Sequence, residues 1–135
     1  METCENTLVI EAHTPEGRRQ LKDLIDKCRN AQKVFTIETL YPLPDEAVAD
    51  EYTWKLQNWG TRYSMNPIII QNRENVFVAY FESKNSPPDK WLEKVSSDYP
   101  ELDFDLEYVI FGIGGEIIKA SKGTLCYKKS IQEEL

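Results

Sequence analysis

The sequence predicts an α+β sandwich in which two helices cover one face of an antiparallel sheet. Two amphipathic helix patterns lie between segments whose hydrophobic residues alternate with a period of two, and the last third holds short strand patterns joined by glycine-containing turns. The 135 residues, of which 41% are hydrophobic and 29% charged, are enough for one self-sufficient core. We therefore expect residues 1–135 to form a single domain.

The first strand and the first helix have the clearest patterns of the N-terminal half. Residues 7–12 alternate apolar and polar side chains, which predicts a half-buried strand. A helix is predicted over 15–29, with Thr14 as its N-cap and one apolar face made of Leu21, Leu24, Ile25 and Cys28. Residues 34–40 mix β-branched and aromatic side chains, so they predict a second strand.

A short helix is predicted within residues 45–66, where the periodicity is weaker. Tyr52, Leu56 and Trp59 can share one helical face. Gly60 then ends the turn, since glycine adopts the backbone conformation that commonly closes a helix. This helix would be an insertion between the second strand and the strands that follow.

A hairpin and a second amphipathic helix come next. Residues 68–71 and 76–82 flank a polar turn, and the second segment is apolar on both faces, as in a central strand. Ser86, with an acid three residues later, predicts a helix start, and the helix is expected to end by Pro100. Its inward residues are predicted to be Trp91, Leu92, Val95 and Tyr99.

The C-terminal third predicts a further strand and a β-meander. Residues 102–110 show the clearest alternation in the chain. Three glycines within 112–115 and the Lys-Gly pair at 122–123 predict two tight turns between short strands. The order strand, helix, strand, hairpin, helix, strand then indicates a ferredoxin-like sandwich, with the inserted helix and the meander as additions.

The charge of the chain excludes several classes of partner. Sixteen Lys and Arg residues against twenty-three Asp and Glu residues leave a net charge of −7, so the chain as a whole repels a phosphate backbone and an anionic membrane. Its apolar runs are far shorter than the roughly 20 residues that span a bilayer, and its first residues lack the features of a secretory signal. We expect no direct nucleic-acid or membrane partner and a location in the cytosol.

The residues available for catalysis are few. One His and three dispersed Cys, without a C-x-x-C or H-x-x-x-H pair, predict no transition-metal site and no cofactor, while a carboxylate-bound Mg²⁺ or Ca²⁺ ion stays open. Cys4 and His13 would lie about 30 Å apart along one extended strand. The cysteines are expected to be free thiols. We therefore predict that the protein is not an enzyme, and we name no catalytic residue.

Several short segments are characteristic in combination, namely residues 4–6 (Cys-Glu-Asn), 41–45 (Tyr-Pro-Leu-Pro-Asp), 58–62 (Asn-Trp-Gly-Thr-Arg), 86–88 (Ser-Pro-Pro) and 99–104 (Tyr-Pro-Glu-Leu-Asp-Phe). Together they resemble the YubB-like family, whose members are carried by phages and conjugative plasmids. The resemblance extends to about Lys122 and is most specific in the Asn-Trp-Gly-Thr segment, while Thr3 stands where a Trp is expected. It implies a ferredoxin-like domain and a bacterial host; the family has no established activity, so it implies no catalytic residue.

An acidic run between residues 98 and 107 is the first candidate for binding. It carries five acids and no base: Asp98, Glu101, Asp103, Asp105 and Glu107. The three acids on the strand 102–110 share one face of the predicted sheet. They form either an ordinary solvated surface or a docking surface that steers a basic partner.

An aromatic and basic segment is the second candidate, because Trp, Tyr and Arg are enriched at binding hot spots. It consists of Trp54, Asn58, Trp59, Arg62 and Tyr63. We favour a core role for Trp59, since Gly60 lets the backbone turn close to its ring. Trp54 and Arg62 are open to either role.

These observations predict a non-catalytic acidic interaction protein of a phage or mobile element. It would bind a host protein, such as a nucleic-acid-acting defence complex, and inhibit it by covering a basic surface. The alternative is a small-molecule or nucleotide-binding domain that uses residues 54–62. A homodimer also stays open, because an apolar second face of the sheet would favour self-association.

Overall fold

The computed structural model describes residues 2–28, 35–62 and 64–129. Its helices and strands are, in chain order, β1 Thr3–Ala12, α1 Pro15–Cys28, a 3₁₀ helix Asp45–Asp50, α2 Glu51–Asn58, β2 Ser64–Asn72, β3 Val76–Lys84, α3 Asp89–Asp98, β4 Leu102–Ile110, β5 Gly114–Ser121 and β6 Thr124–Lys129. The strands form one antiparallel sheet in the order β2-β3-β1-β4-β5-β6. This α+β architecture agrees with the predicted class.

The central strand β1 follows from its alternating side chains. Cys4, Leu8 and Ile10 are fully buried on the face that meets the helices. The polar member of this face, Asn6, is also buried, and its side-chain amide donates to the Phe81 carbonyl (3.3 Å) and to the hydroxyl of a neighbouring serine. A buried amide is tolerated there because its hydrogen bonds are satisfied.

The two long helices of the prediction are confirmed. The side chain of Thr14 accepts a hydrogen bond from the Gly17 backbone N–H (2.9 Å), as an N-cap does, and α1 begins at Pro15. The start of α3 differs from the prediction, because the helix begins at Asp89 without a side-chain cap. The Ser86 hydroxyl instead donates to the carbonyl of Gly60 and so ties two loops together.

The predicted second strand over residues 34–40 is wrong. Residue 34 lies outside the described residues, Phe35 forms only an isolated bridge, and residues 38–40 form a turn. Phe35 and Ile37 are nevertheless fully buried, and the Trp91 indole N–H donates to the Ile37 carbonyl (2.8 Å). The apolar pattern of this segment records burial in the core, which a loop satisfies as well as a strand.

The inserted helix exists, but its predicted face is wrong. Tyr52 and Leu56 of α2 are 53% and 37% exposed, whereas Trp59 is fully buried. The helix ends at Asn58, and Trp59 lies in the following turn. The Trp59 backbone N–H still donates to the Lys55 carbonyl (2.7 Å), as in a helix, so the three residues keep helical spacing but differ in burial.

The topology from β1 to β4 is compatible with a ferredoxin-like sandwich. The elements run strand, helix, strand, strand, helix, strand, and these four strands lie in the order β2-β3-β1-β4. The second strand of this motif is β2, and not residues 34–40 as predicted from the sequence. The 3₁₀ helix and α2 are inserted before β2, and β5 and β6 extend the sheet beyond β4 as the predicted meander.

Candidate functional site

One face of the sheet carries the two long helices, and the opposite face, which we call the open face, is the candidate site. Alternate residues of each strand point to it. Its members on the four central strands are Glu5, Thr7, Val9 and Glu11 of β1, Val76, Val78, Tyr80 and Glu82 of β3, Asp103, Asp105, Glu107 and Val109 of β4, and Ile117 and Lys119 of β5. All of these side chains keep contact with solvent.

Six carboxylates of the described residues stand on the open face, and the strand register sets like charges opposite each other at two points. Glu5 is the register partner of Glu82, and Glu11 is the register partner of Asp103. Directly opposed like charges destabilise an antiparallel pair. The remaining two acids lie on β4 between these pairs. The negative charge is therefore concentrated on neighbouring strands at the centre of the sheet.

Tyr80 lies next to one of the opposed pairs. Its hydroxyl oxygen is 3.2 Å from Glu5 Oε1 and 3.2 Å from Glu82 Oε2, so its one proton is shared between two acceptors. Partial burial, followed by the negative charge of Glu5, raises the pKa of Tyr80 above its ordinary value. The phenol thus stays neutral, and its hydroxyl group lies between the two carboxylates as a hydrogen-bond donor.

A shallow groove of about 450 Å³ lies at one end of the open face. The His13 Nε2 atom is 3.2 Å from Asp103 Oδ2, and the Lys119 ammonium group is 3.0 Å from Asp105 Oδ1. The exposed thiol of Cys126 also lines the groove. This end of the face is a mixed-charge surface, in contrast to the carboxylate pair around Tyr80.

The predicted acidic run is divided between two sides of the molecule. Asp103, Asp105 and Glu107 stand on the open face, as predicted. Asp98 ends α3 on the helix side, where its carboxylate is 2.6 Å from the Lys94 ammonium group. Glu101 lies in the turn before β4. The five acids therefore do not form one stripe, because the chain passes from the helix layer to the sheet between residues 98 and 102.

Three further acids of the open face were missed in the sequence. Glu5 and Glu11 alternate with the buried residues of β1, and Glu82 does the same on β3. The period-two pattern was the signal that they face away from the core. Only the strand order shows that Glu5 and Glu11 lie on the strand next to the acids of β4, and that Glu82 lies one strand further.

Trp59 of the second candidate group belongs to the core, and Trp54 is partly buried against it. The Trp59 indole N–H donates to the Tyr41 carbonyl (2.7 Å), which confirms its predicted core role. The rings of Trp54 and Trp59 meet edge to face with centroids 5.6 Å apart, and the ring of Tyr41 packs on Trp54 at 5.3 Å. These contacts anchor the inserted helix to the domain.

The polar side chains of this group contact other residues of the same chain. Asn58 accepts a hydrogen bond from the Tyr41 hydroxyl (2.8 Å) and donates to the Trp54 carbonyl (2.9 Å). The Arg62 guanidinium lies 4.7 Å from the ring centre of Tyr52 in a cation–π contact. Tyr63 lies outside the described residues. The segment 54–62 is thus built chiefly from internal contacts.

The chemistry that the described residues offer is limited. Among them, no group of three or more His, Cys, Asp and Glu side chains is arranged to hold a metal ion. The three cysteines are free thiols, as predicted. Burial raises the pKa of the Cys4 thiol to about 12 and also raises that of Cys28, so neither forms the thiolate that a nucleophile requires. No helix in these ranges has the length and apolar character needed to cross a bilayer.

Comparison with known proteins identifies a similar fold. The crystal structure of a protein called api92 from Yersinia pseudotuberculosis, of the family DUF1281, superposes with a TM-score of 0.62. The match covers 96% of this chain and 98% of that protein, at 10% sequence identity. No family model and no curated protein sequence matches this chain. At this identity the similarity shows the fold alone.

Proposed function

We propose that this chain is a non-catalytic ferredoxin-like protein of a mobile genetic element, which binds a basic surface of a host protein through its open face. Its partner is a protein that acts on nucleic acid, and the bound chain inhibits it by occupying the surface that nucleic acid would contact. The resemblance to the YubB-like family supports the origin. The open face supports the mode of binding.

The observation that carries the proposal is the opposition of like charges on an uncovered sheet face. Glu5 faces Glu82, and Glu11 faces Asp103, on strands at the centre of the sheet. Cross-strand pairs of this kind lower stability, and a polar or oppositely charged residue would not. In the free chain Tyr80 contacts the first pair and His13 contacts Asp103 of the second, and a cationic partner would reduce the repulsion between the carboxylates further.

The rest of the open face fits a basic protein surface. Six carboxylates outnumber the three lysines of β3, β5 and β6, namely Lys84, Lys119 and Lys128, so the excess charge of these groups is negative. Between the acids lie partly exposed aliphatic side chains, among them Val9, Val78 and Val109. A basic surface that also has apolar area would be complementary to both, since apolar burial supplies affinity and charge supplies orientation.

The same charges argue against a homodimer formed face to face. Two copies placed in that way would bring twelve carboxylates together, twice the six of one face, and like charges across an interface disfavour it. They also argue against direct binding of nucleic acid by this surface. The small-molecule alternative has no comparable support, because the polar atoms of Asn58 are already paired within the chain.

The test uses the full chain, immobilised, with the heparin-binding protein fraction of a bacterial lysate as the probe, because heparin selects proteins with basic nucleic-acid-binding surfaces. The face variant combines Asp103→Asn, Asp105→Asn and Glu107→Gln. The matched control combines Asp26→Asn, Glu93→Gln and Asp98→Asn, which changes the charge equally on the helix side.

We expect the wild type and the control to retain the same host protein at about 0.05 M salt and to release it at about 0.5 M salt, because screening shortens the range of the attraction. Double-stranded DNA should displace it, and the face variant should retain much less of it. Equal retention by the wild type and the face variant would overturn the proposal. So would the absence of any protein retained at low salt.

A further inference from the structure

The most exposed large apolar side chains of the described residues lie together at the turn between β4 and β5. Phe111 is 89% exposed and Ile113 is 67% exposed. Apolar side chains exposed singly are normal on protein surfaces, but two of this size at one projecting turn form a concentrated apolar patch. We call residues 111–113 the hairpin tip.

The backbone of the turn does not need these side chains. The Ile113 N–H donates to the Ile110 carbonyl (2.9 Å), and Gly112 has a φ of +81°, as expected for the third residue of a type II turn. That geometry requires the glycine, while the position of Phe111 accepts most residues. No atom lies within 4 Å of a Cβ built on Gly112, so the tip is free of packing on that side.

The two strands of the hairpin that carries the tip lie close together. A Cβ added to Gly115 would lie 1.9 Å from the Tyr108 carbonyl oxygen, so the two strands approach each other more closely there than any other residue would permit. The tip is thus a short projection on a fixed base. Such an element loses little conformational entropy when it is bound.

The hairpin tip continues the open face. Val109 stands on that face beside Glu5, and Ile110 and Phe111 follow directly along the chain. The carboxylate pair Glu5–Glu82 is therefore the part of the acidic surface nearest to the tip. A partner seated on this end of the open face would also reach Phe111.

We propose that Phe111 and Ile113 are the apolar anchor of the same interface, and that they enter an apolar cleft that borders the basic surface of the partner protein. This inference rests on the proposed function and deepens it. Aromatic side chains that become fully desolvated supply a large share of binding energy, whereas rim charges act mainly on the rate of encounter. The acids beside the tip disfavour the two other occupants, an anionic bilayer and a second copy of this chain.

The two parts of the interface should have separable kinetic effects. Loss of the anchor should accelerate dissociation by about tenfold or more, because hot-spot contacts determine residence time. Loss of the acids should slow association and weaken its dependence on salt. The tip variant is Phe111→Ser with Ile113→Ser, and the matched control is Val48→Ser with Leu56→Ser, which removes two other exposed apolar side chains.

The experiment measures association and dissociation of the heparin-binding lysate fraction on the immobilised full chain by interferometry, for the wild type, the tip variant, the control and the face variant. We expect faster dissociation for the tip variant alone, with its association rate and salt dependence unchanged, and slow dissociation restored by Phe111→Leu with Ile113→Val. A thermal unfolding curve equal to that of the wild type shows that the tip variant is folded.

Four results would overturn the inference. If the wild type retains a protein that the face variant loses, and the tip variant dissociates within about twofold of the wild type, the proposed function stands and the anchor does not. If nothing is retained, both fail. The wild type could also bind phosphatidylcholine or phosphatidylglycerol vesicles, or form a dimer in sedimentation velocity, in a way that depends on Phe111. Either result would show that the hairpin tip contacts a bilayer or a second copy of this chain, and not a cleft of a partner protein.

Discussion

The two faces of the sheet differ although the same strands build them. On β4, Phe104 and Leu106 are buried under the helices, whereas Asp103 and Asp105 stand on the open face. The covered face stabilises the fold by removing apolar surface from water. The open face contains opposed like charges, which lower stability. The residues that face the helices thus account for the stability of the fold, whereas the charged residues of the open face do not contribute to it in this way.

The largest expected effect is on the covered face. Phe104→Ala removes a buried ring, and we expect it to lower the free energy of unfolding by about 3–5 kcal/mol. Asp105→Ala, the neighbouring change on the open face, removes a carboxylate paired with Lys119 at the surface and should cost at most about 1 kcal/mol. Urea unfolding of both variants measures the difference. Equal losses would contradict the distinction between the faces.

A smaller effect of opposite sign is expected on the open face. Glu82→Gln removes the repulsion from Glu5 but keeps a side-chain oxygen that can accept the hydrogen bond of Asn66. We expect the free energy of unfolding to rise by about 0.2–1 kcal/mol at low salt, and the gain to shrink as salt screens the repulsion. Glu93→Gln on the outer surface of α3 is the control. Destabilisation by Glu82→Gln at low salt would show that the opposed carboxylates do not repel each other measurably.

The smallest effect concerns the titration of Tyr80. Burial and the charges of Glu5 and Glu82 raise its pKa, so the difference in absorbance between the wild type and Tyr80→Phe should titrate above the ordinary value of about 10. Because the pKa is raised on folding, its contribution to stability is complete below pH of about 10 and is lost as the pH rises through the folded-state pKa. Glu82→Gln should shift this titration downward, and an unchanged midpoint would argue against the field of the carboxylates.

Elements with long, regular patterns were predictable from the sequence. The helix α1 and the strand β4 match their predicted positions, and α3 matches except at its start, because repeated spacing over two or more turns or pleats leaves one structural solution. Residues 34–40 had no such constraint. Their apolar composition required burial, and Phe35 and Ile37 reach the core from a loop while β2 takes the place in the sheet.

The candidate site was predictable only in part, for a similar reason. Alternation along β4 shows that Asp103, Asp105 and Glu107 face away from the core. Proximity in the sequence wrongly joined Asp98 to them, although it lies on the helix side. The acids that do complete the surface are distant in the chain and become neighbours through strand pairing.

The sequence by itself determined the class of the fold, the free thiols, the overall acidity and the side of each regular strand that faces water, because these depend on composition and local periodicity. The tertiary structure decided which strands are neighbours, in which register, and therefore which charges oppose each other. A hydrophobic pattern records whether a side chain is buried and does not identify its partner across the sheet. The opposed carboxylates and the projecting hairpin tip are consequences of that pairing.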